Sequence, residues 1–260
     1  MPEISVLLPS LRKEAAAQRI QEFARTNGSA DYEIILVSPF AVNEKRVLHI
    51  PEGKAQGDIH AANMAYRRAS APFIVWWADD ARPTPHCLSR MLRFIRKHRE
   101  PFIGCFRLKN RHGDELESWS VYGRLYACWG MASQNTLCSI GGFLDPQFKR
   151  FWSDPDMSLR AWEKGGSVKI CPNAWVIISH IEDEVKRKGL EAYFVADTET
   201  FFNRWHEKLG KGQPRIWTEI NKPIPVKRRR SMRFMIGTMT NSIPLFRQTK
   251  EFIKSAIKPK

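Results

Sequence analysis

Long hydrophobic runs are missing from this 260-residue sequence. The longest, Phe73 to Ala78 and Ala174 to Ile178, fall far short of the roughly 20 apolar residues that span a bilayer as a helix. No transmembrane helix is expected. The first residues, Met1-Pro2-Glu3-Ile4, have no basic segment leading into an apolar one, so no secretory leader is expected and the chain should stay in the cytoplasm. Cysteine is scarce: five residues, an odd number without C-x-x-C spacing, exclude a disulfide framework and a cysteine-based zinc site and predict reduced, mostly buried thiols. Glycine is absent from Pro9 to Ala17, where a phosphate-cradling loop after a first strand would need it.

Apolar residues, 43% of the chain, can supply a buried core. Positive charge is in excess, 42 Lys and Arg against 27 Asp and Glu for a net +15, but it is unevenly placed. From Lys227 to Lys260 ten basic residues face only Glu251, so this short tail holds +9 of the total.

Strand and helix patterns alternate over the first 100 residues. Ile4 to Leu8, Glu33 to Val37, Val47 to Ile50 and Phe73 to Trp77 are short apolar runs closed by turn residues, and they predict strands. Helices are predicted from about Lys13 to Arg25 and from Gly57-Asp58 to about Ser70, with Asp58 as a cap. This order predicts an α/β domain with a mainly parallel sheet flanked by helices, binding ligands at the carboxyl ends of its strands. Later on, Phe102 to Leu108, Val168 to Cys171 and Trp175 to Ser179 predict strands. Asp154 to Lys164 and Glu184 to Leu209 predict helices, and Gly141-Gly142 a turn. The expected organisation is one folded domain over 1–212 that divides near residue 100, then a proline-marked linker (213–226) and the basic tail (227–260).

Three places could carry chemistry. Asp79-Asp80 follows an apolar strand directly, and two carboxylates there suit a hard divalent cation that leaves positions open for phosphate oxygens; a solvated turn ahead of Pro83 and Pro85 uses the same residues. Asp154 opens a helix with Pro155 expected at its first helical position, a place for a cap or for a general base aimed into a cleft. His180 ends a strand, where an imidazole can be structural or a metal ligand.

The order of these residues resembles GT-A glycosyltransferases, most closely family 2, over roughly residues 3 to 210. Pro9-Ser10-Leu11-Arg12 resembles the turn that contacts the nucleotide, and Gly57 to Ala69, with Asn63 inside it, the glycine-alanine-asparagine helix. Trp77-Ala78-Asp79-Asp80 falls at the family's D-x-D element, with Trp77 at its first position. Gly141-Gly142 and Ser153-Asp154 are similar to the acceptor-side glycine pair and the E-D element, with Ser153 in place of the glutamate. Ser38-Pro39-Phe40 stands where many members hold the base with aspartates. The resemblance implies a GT-A, Rossmann-like catalytic domain over 1–212, with a nucleotide-sugar half (1–100) and an acceptor half (101–212), and an inverting transfer of sugar from a nucleotide-sugar donor to a glycan or lipid-linked acceptor, in cell-envelope polysaccharide or glycoconjugate synthesis. It implies Asp154 as catalytic base, and Pro9, Ser10, Arg12, Ser38, Gly57, Asn63, Asp79 and Asp80 around the donor. Asp79, Asp80 and His180 would hold a divalent cation, Mn or Mg.

In the tail, Leu245, Phe246, Thr249, Phe252, Ile253, Ala256 and Ile257 fall on one helical face, with Arg247, Lys250, Lys254 and Lys258 mostly elsewhere. Such a cationic amphipathic helix suits either an anionic membrane surface, as a peripheral attachment to the cytoplasmic face, or packing on the domain. No nucleic-acid motif is present, and nucleic acid is not expected as a partner. Two other functions fit parts of the pattern. A nucleotidyltransferase also uses metal-bound aspartates but needs the glycine loop that Pro9 to Ala17 lacks; a basic adaptor on a degenerate transferase fold fits Trp77 and Ser153.

Overall fold

The computed structural model describes residues 1–179 and 184–225. The basic tail and His180 therefore lie outside the described residues.

The first half alternates as the apolar runs require: β1 (Ile4–Pro9), α1 (Lys13–Asn27), β2 (Tyr32–Ser38), β3 (Val47–Pro51), α2 (Asp58–Arg68) and β4 (Phe73–Trp76). A short β5 (Ala81–Pro83) and α3 (Cys87–Ile95) follow, then β6 (Phe102–Asn110). The stretch up to the glycine pair, irregular in sequence, holds β7 (Glu115–Leu116), β8 (Ser118–Val121), β9 (Arg124–Tyr126), β10 (Gly130–Ser133) and α4 (Gln134–Ser139). The chain continues with α5 (Ser153–Glu163), β11 (Ser167–Ile178), α6 (Glu184–Leu209), α7 (Trp217–Ile220) and β12 (Asn221–Ile224).

The main sheet runs β3-β2-β1-β4-β10-β6-β11-β5, with β7 on β6. Strands β1 to β4 pair in parallel. β10 is inserted antiparallel between β4 and β6, so that β6, and β11 beside it, run with the first four. The mainly parallel direction follows from the sequence pattern; the antiparallel insertion is a feature that pattern does not specify. Apolar residues of α1 and α3 pack on one face of the sheet, around Phe23, Met91 and Phe106. Those of α2, α4 and α5 pack on the other, around Leu7, Ile74 and Met157. Both faces are covered, which explains strands that read as continuous apolar runs.

Four local differences from the sequence expectations have physical reasons. The two strands predicted around Cys171 are one strand, β11, whose pairing with β6 shifts register between Ile170 and Trp175. Gly57, at φ +104°, precedes α2 as its cap, so Asp58 is the first helical residue rather than the cap. α5 starts at Ser153, directly after Trp152 in a left-handed conformation (φ +65°), which moves Pro155 to the third helical position. The stretch read as a linker carries α7 and β12, and β12 pairs antiparallel with β8 in a small three-stranded sheet. Its Pro223 is tolerated because β12 is an edge strand. All five cysteines are free thiols, with Cys87, Cys105 and Cys171 buried.

Candidate active site

The parallel strands bring two turns together at their carboxyl ends. β1 delivers Pro9-Ser10-Leu11-Arg12 and β4 delivers Asp79-Asp80, since β1 and β4 are neighbours in register. Ser10 Oγ donates to Asp79 Oδ2 at 2.6 Å, and Arg12 Nη1 pairs with Asp79 Oδ1 at 2.9 Å. Ser10 also accepts the Arg12 backbone N–H at 3.0 Å, which fixes the turn that presents the guanidinium. Behind the carboxylate, the buried Arg19 of α1 donates Nε–H to the Asp79 carbonyl at 3.1 Å. Trp77, at the first position of the D-x-D element, is buried against Phe23 and Phe106 and donates its indole N–H to Ala81 O at 2.6 Å. It pins the carboxylate turn from below.

Asp79 is itself only 5% exposed, so its charge is held by Arg12 and Ser10 rather than by water. A hard divalent ion takes oxygen ligands and keeps water or phosphate oxygens in the remaining positions, and the adjacent carboxylates of Asp79 and Asp80 suit that donor set. Among the described residues no group of three His, Cys, Asp or Glu converges. Further ligands would come from the donor, from water or from outside these residues. β11 leads the chain to this point: the Ser179 N–H donates to Asp80 O at 2.9 Å, one residue before His180, which is outside the described residues.

Asp154 sits at the start of α5, on the α2 face of the sheet. It is half-buried, and desolvation pushes its carboxyl up to about 6, opposed by its own backbone N–H and by the Cys128 thiol, which hydrogen-bonds it. Beside Cys128 the side chains of Cys105, Ser118, Trp119, Tyr126 and Trp129 come together without leaving room for a water molecule. Of the aromatics in this region, Trp119 and Trp129 are half-buried there. Tyr126 is buried with its hydroxyl on Asn221 Oδ1 at 3.1 Å, and Tyr122 bonds His206 at 3.2 Å.

The residues that hold this arrangement were mostly not singled out by sequence. Asp156 is fully buried and accepts from Arg160 Nε (2.9 Å), Arg204 Nη1 (2.8 Å) and Trp205 Nε1 (2.9 Å), tying α5 to α6. Arg160 also donates to the carbonyls of Ile140, Gly142 and Phe143, clamping the glycine-pair turn, in which Gly141 and Gly142 have φ of +88° and +107°. Asp197 of α6, also buried, accepts the backbone N–H groups of Lys149, Arg150 and Phe151, the loop that leads into Asp154. The sequence pattern marks this segment only as part of the helix predicted over Glu184 to Leu209; the pairing of residues nearly 50 positions apart has no local signal.

Two residues expected around the donor serve the same loop. Asn63 Nδ2 donates to Leu144 O at 2.9 Å. A Cβ on Gly57 would meet Lys149 O at 2.5 Å, so the glycine allows α2 to approach the loop. Arg150 completes the link to α2 through an ion pair with Asp58 at 3.5 Å. Ser38, fully buried at the end of β2, donates its hydroxyl to Phe40 O at 2.5 Å. The structure thus gathers Pro9, Ser10, Arg12, Asp79 and Asp80 at one sheet edge, and ties Gly57, Asn63 and Asp154 to the loop across from it.

Comparison with known proteins agrees with this geometry. The family model for glycosyl transferase family 2 matches residues 5–151, which include both turns. No curated protein matches. Among solved structures, GalNAc-T7 with UDP, GalNAc and Mn2+ is similar at TM-score 0.58 and 11% identity, over 78% of this chain and 50% of that one. S. aureus TarS 1–349 in complex with UDP-GlcNAc is similar at TM-score 0.57 and 13% identity, over 77% and 64%. The mannosyltransferase PcManGT from Pyrobaculum calidifontis, with GDP-Man and Mn2+, gives TM-score 0.54 and 15% identity, over 78% and 64%. The chain thus spans half to about two thirds of the length of these structures, and at such identities the likeness is one of fold. With the strand order, the turn carboxylates and a family match over more than half its length, the chain belongs to glycosyl transferase family 2.

Proposed function

We propose that the chain transfers a sugar from a nucleoside diphosphate sugar to a hydroxyl of a glycan or lipid-linked acceptor, with inversion. The observation that carries this reading is the Ser10–Asp79–Arg12 cluster at the carboxyl ends of β1 and β4, a charged turn pair positioned to meet a diphosphate. Arg12 would contact the phosphates, and Asp79 and Asp80, with His180, would hold a divalent cation. When bound, that cation would neutralise charge developing on the departing diphosphate. Pro9 and Ser38 would shape the nucleotide end of the cleft, and Gly57 and Asn63 would act by holding the loop across it.

Asp154 would remove the proton of the acceptor hydroxyl while that oxygen attacks the anomeric carbon, the bond to the diphosphate breaking as the new glycosidic bond forms. Its raised pKa supports this role: a carboxylate at about 6 is still mostly ionised at neutral pH, yet is a stronger base than an ordinary aspartate. An inverting path needs no enzyme nucleophile. Half-buried Trp119 and Trp129 would flank the acceptor.

Calorimetric titration with a panel of nucleotide sugars, with and without Mn2+, tests the proposal. Binding of one donor class, strengthened by Mn2+ and lost in Asp79→Asn, is expected. No binding to any donor would overturn it in favour of a non-catalytic adaptor.

A further inference from the structure

One well-formed concave surface lies away from the carboxylate turns. A groove of about 500 Å³ lies between α3 and the irregular part of β11, lined by Arg90, Arg93, Phe94, Lys97, Asn173 and Trp175 among others. α3 covers the sheet face opposite to α5 and Asp154, so this groove is separate from the candidate active site. Its cations come from one stripe: Arg90, Arg93 and Lys97 are three and four residues apart and share a face of α3 and its last turn.

These charges stand out by how they are, or are not, paired. Nearby Arg96 pairs with Glu3 at 2.6 Å, and Arg107 pairs with Glu115. Among the described residues, by contrast, no carboxylate lies within ion-pair distance of Arg90, Arg93 or Lys97. Arg90 Nη1 reaches only Asn173 O at 3.3 Å, and Arg93 Nε only Ser89 O at 3.4 Å. On the other wall, Trp175 is half-buried; Arg107 Cζ and Lys109 Nζ lie 4.0 Å and 4.4 Å from its ring centroid, outside the groove lining, and the Arg107 charge is already met by Glu115. The register shift between Ile170 and Trp175 lifts Pro172 and Asn173 out of the β6 ladder to form this wall. Several like charges around one concave surface repel one another, and the field they focus is relieved by an anion.

We infer that the α3–β11 groove is a second binding site, for an oligosaccharide segment bearing carboxylate or phosphate groups. Spaced anions would pair with Arg90, Arg93 and Lys97, and a sugar ring would lie against Trp175. The choice of a glycan rests on the proposed transfer function; the choice of an anion rests on the groove alone. The site would retain an anionic acceptor or product chain on the far face of the domain while its end reaches the transfer site.

The probe is an oligogalacturonate hexamer titrated calorimetrically into the full chain, with maltohexaose as the neutral counterpart. The anionic hexamer is expected to bind, more weakly as salt is raised from about 50 to about 500 mM. The neutral one is not. Arg90→Gln/Arg93→Gln/Lys97→Gln keeps helix propensity at half-buried or exposed positions and should lower the affinity about tenfold or more. Hydrogen exchange should show ligand protection in peptides covering 87–98 and 170–176 of the wild type, a readout that does not depend on the variant's folding. Unchanged affinity in the triple variant, or no protection of those peptides, overturns the inference. Nucleoside diphosphate binding, measured in the same samples, should be equal in wild type and variant. Its absence from both would count against the transferase reading and leave the groove standing.

Discussion

Replacing Asp154 with asparagine should make the protein more stable and inactive at once. Desolvation lifts this carboxyl from an ordinary 3.8 to about 6. Each unit corresponds to about 1.4 kcal/mol, so the shift sets an upper bound of ~3 kcal/mol on the cost of keeping Asp154 ionised in the fold. The residue retains part of its exposure, and solvent screening lowers the expected figure to ~1–2 kcal/mol. The sign follows from proton counts. Between about pH 4 and 6 the folded state holds a proton that the unfolded chain has released, so this group's contribution falls as pH rises through that window and is flat above it. The asparagine of Asp154→Asn would stay neutral and keep the acceptor oxygen for Cys128 and the backbone, so the variant's advantage over wild type should be small near pH 4 and complete by pH 7. Thermal unfolding of both proteins at pH 5 and pH 7.5 would show it as a gap of several degrees that widens with pH. The turnover number should drop by about 10²–10⁴-fold. Equal stability at pH 7.5, or a loss, would mean that the carboxylate is solvated or paired, and the argument for a strained general base would fail.

Other perturbations follow from the same contacts. Asp156→Ala leaves Arg160, Arg204 and Trp205 without their shared acceptor in a buried site and should cost about 3–5 kcal/mol, read as a lower urea midpoint; a loss under about 1 kcal/mol would contradict a structural role. Asp197→Asn weakens the acceptor for three loop N–H groups and should lower kcat while leaving donor KM unchanged, because the loop precedes Asp154 rather than the phosphate turn. An unchanged kcat would separate that loop from catalysis. Arg12→Ala removes the cation paired with Asp79, so Mn2+ alone should bind about fivefold more tightly, by paramagnetic resonance of the free ion; weaker binding would mean that Arg12 supports the metal instead of competing with it.

Much of the fold was legible because it is written in local pattern. Four apolar runs became the parallel strands β1 to β4, and the helix expected over Glu184 to Leu209 has those bounds. What was not legible depends on contacts between distant residues. β12 lacks an apolar alternation and contains Pro223, and only its pairing with β8 makes it a strand. The Asp156 and Asp197 carboxylates look like ordinary helix charges in sequence, and their importance comes from burial beside partners across the domain. The Ser10–Asp79 contact spans 69 positions and has no local signal; the family resemblance places both turns around the donor but does not pair them. Ser38 and Asn63 show the converse: polar residues at the expected places whose side chains are bonded to neighbouring carbonyls.

The central claim is that Asp79 and Asp154 serve one transfer reaction in different roles, one binding and one acting as base. Release of nucleoside diphosphate from a bound nucleotide sugar, measured alongside donor affinity in Asp154→Asn, tests it most directly. The account predicts that Asp154→Asn binds donor and Mn2+ as tightly as wild type yet releases diphosphate at least about a hundredfold more slowly. Wild-type release by a variant that lacks the Asp154 carboxylate would contradict it.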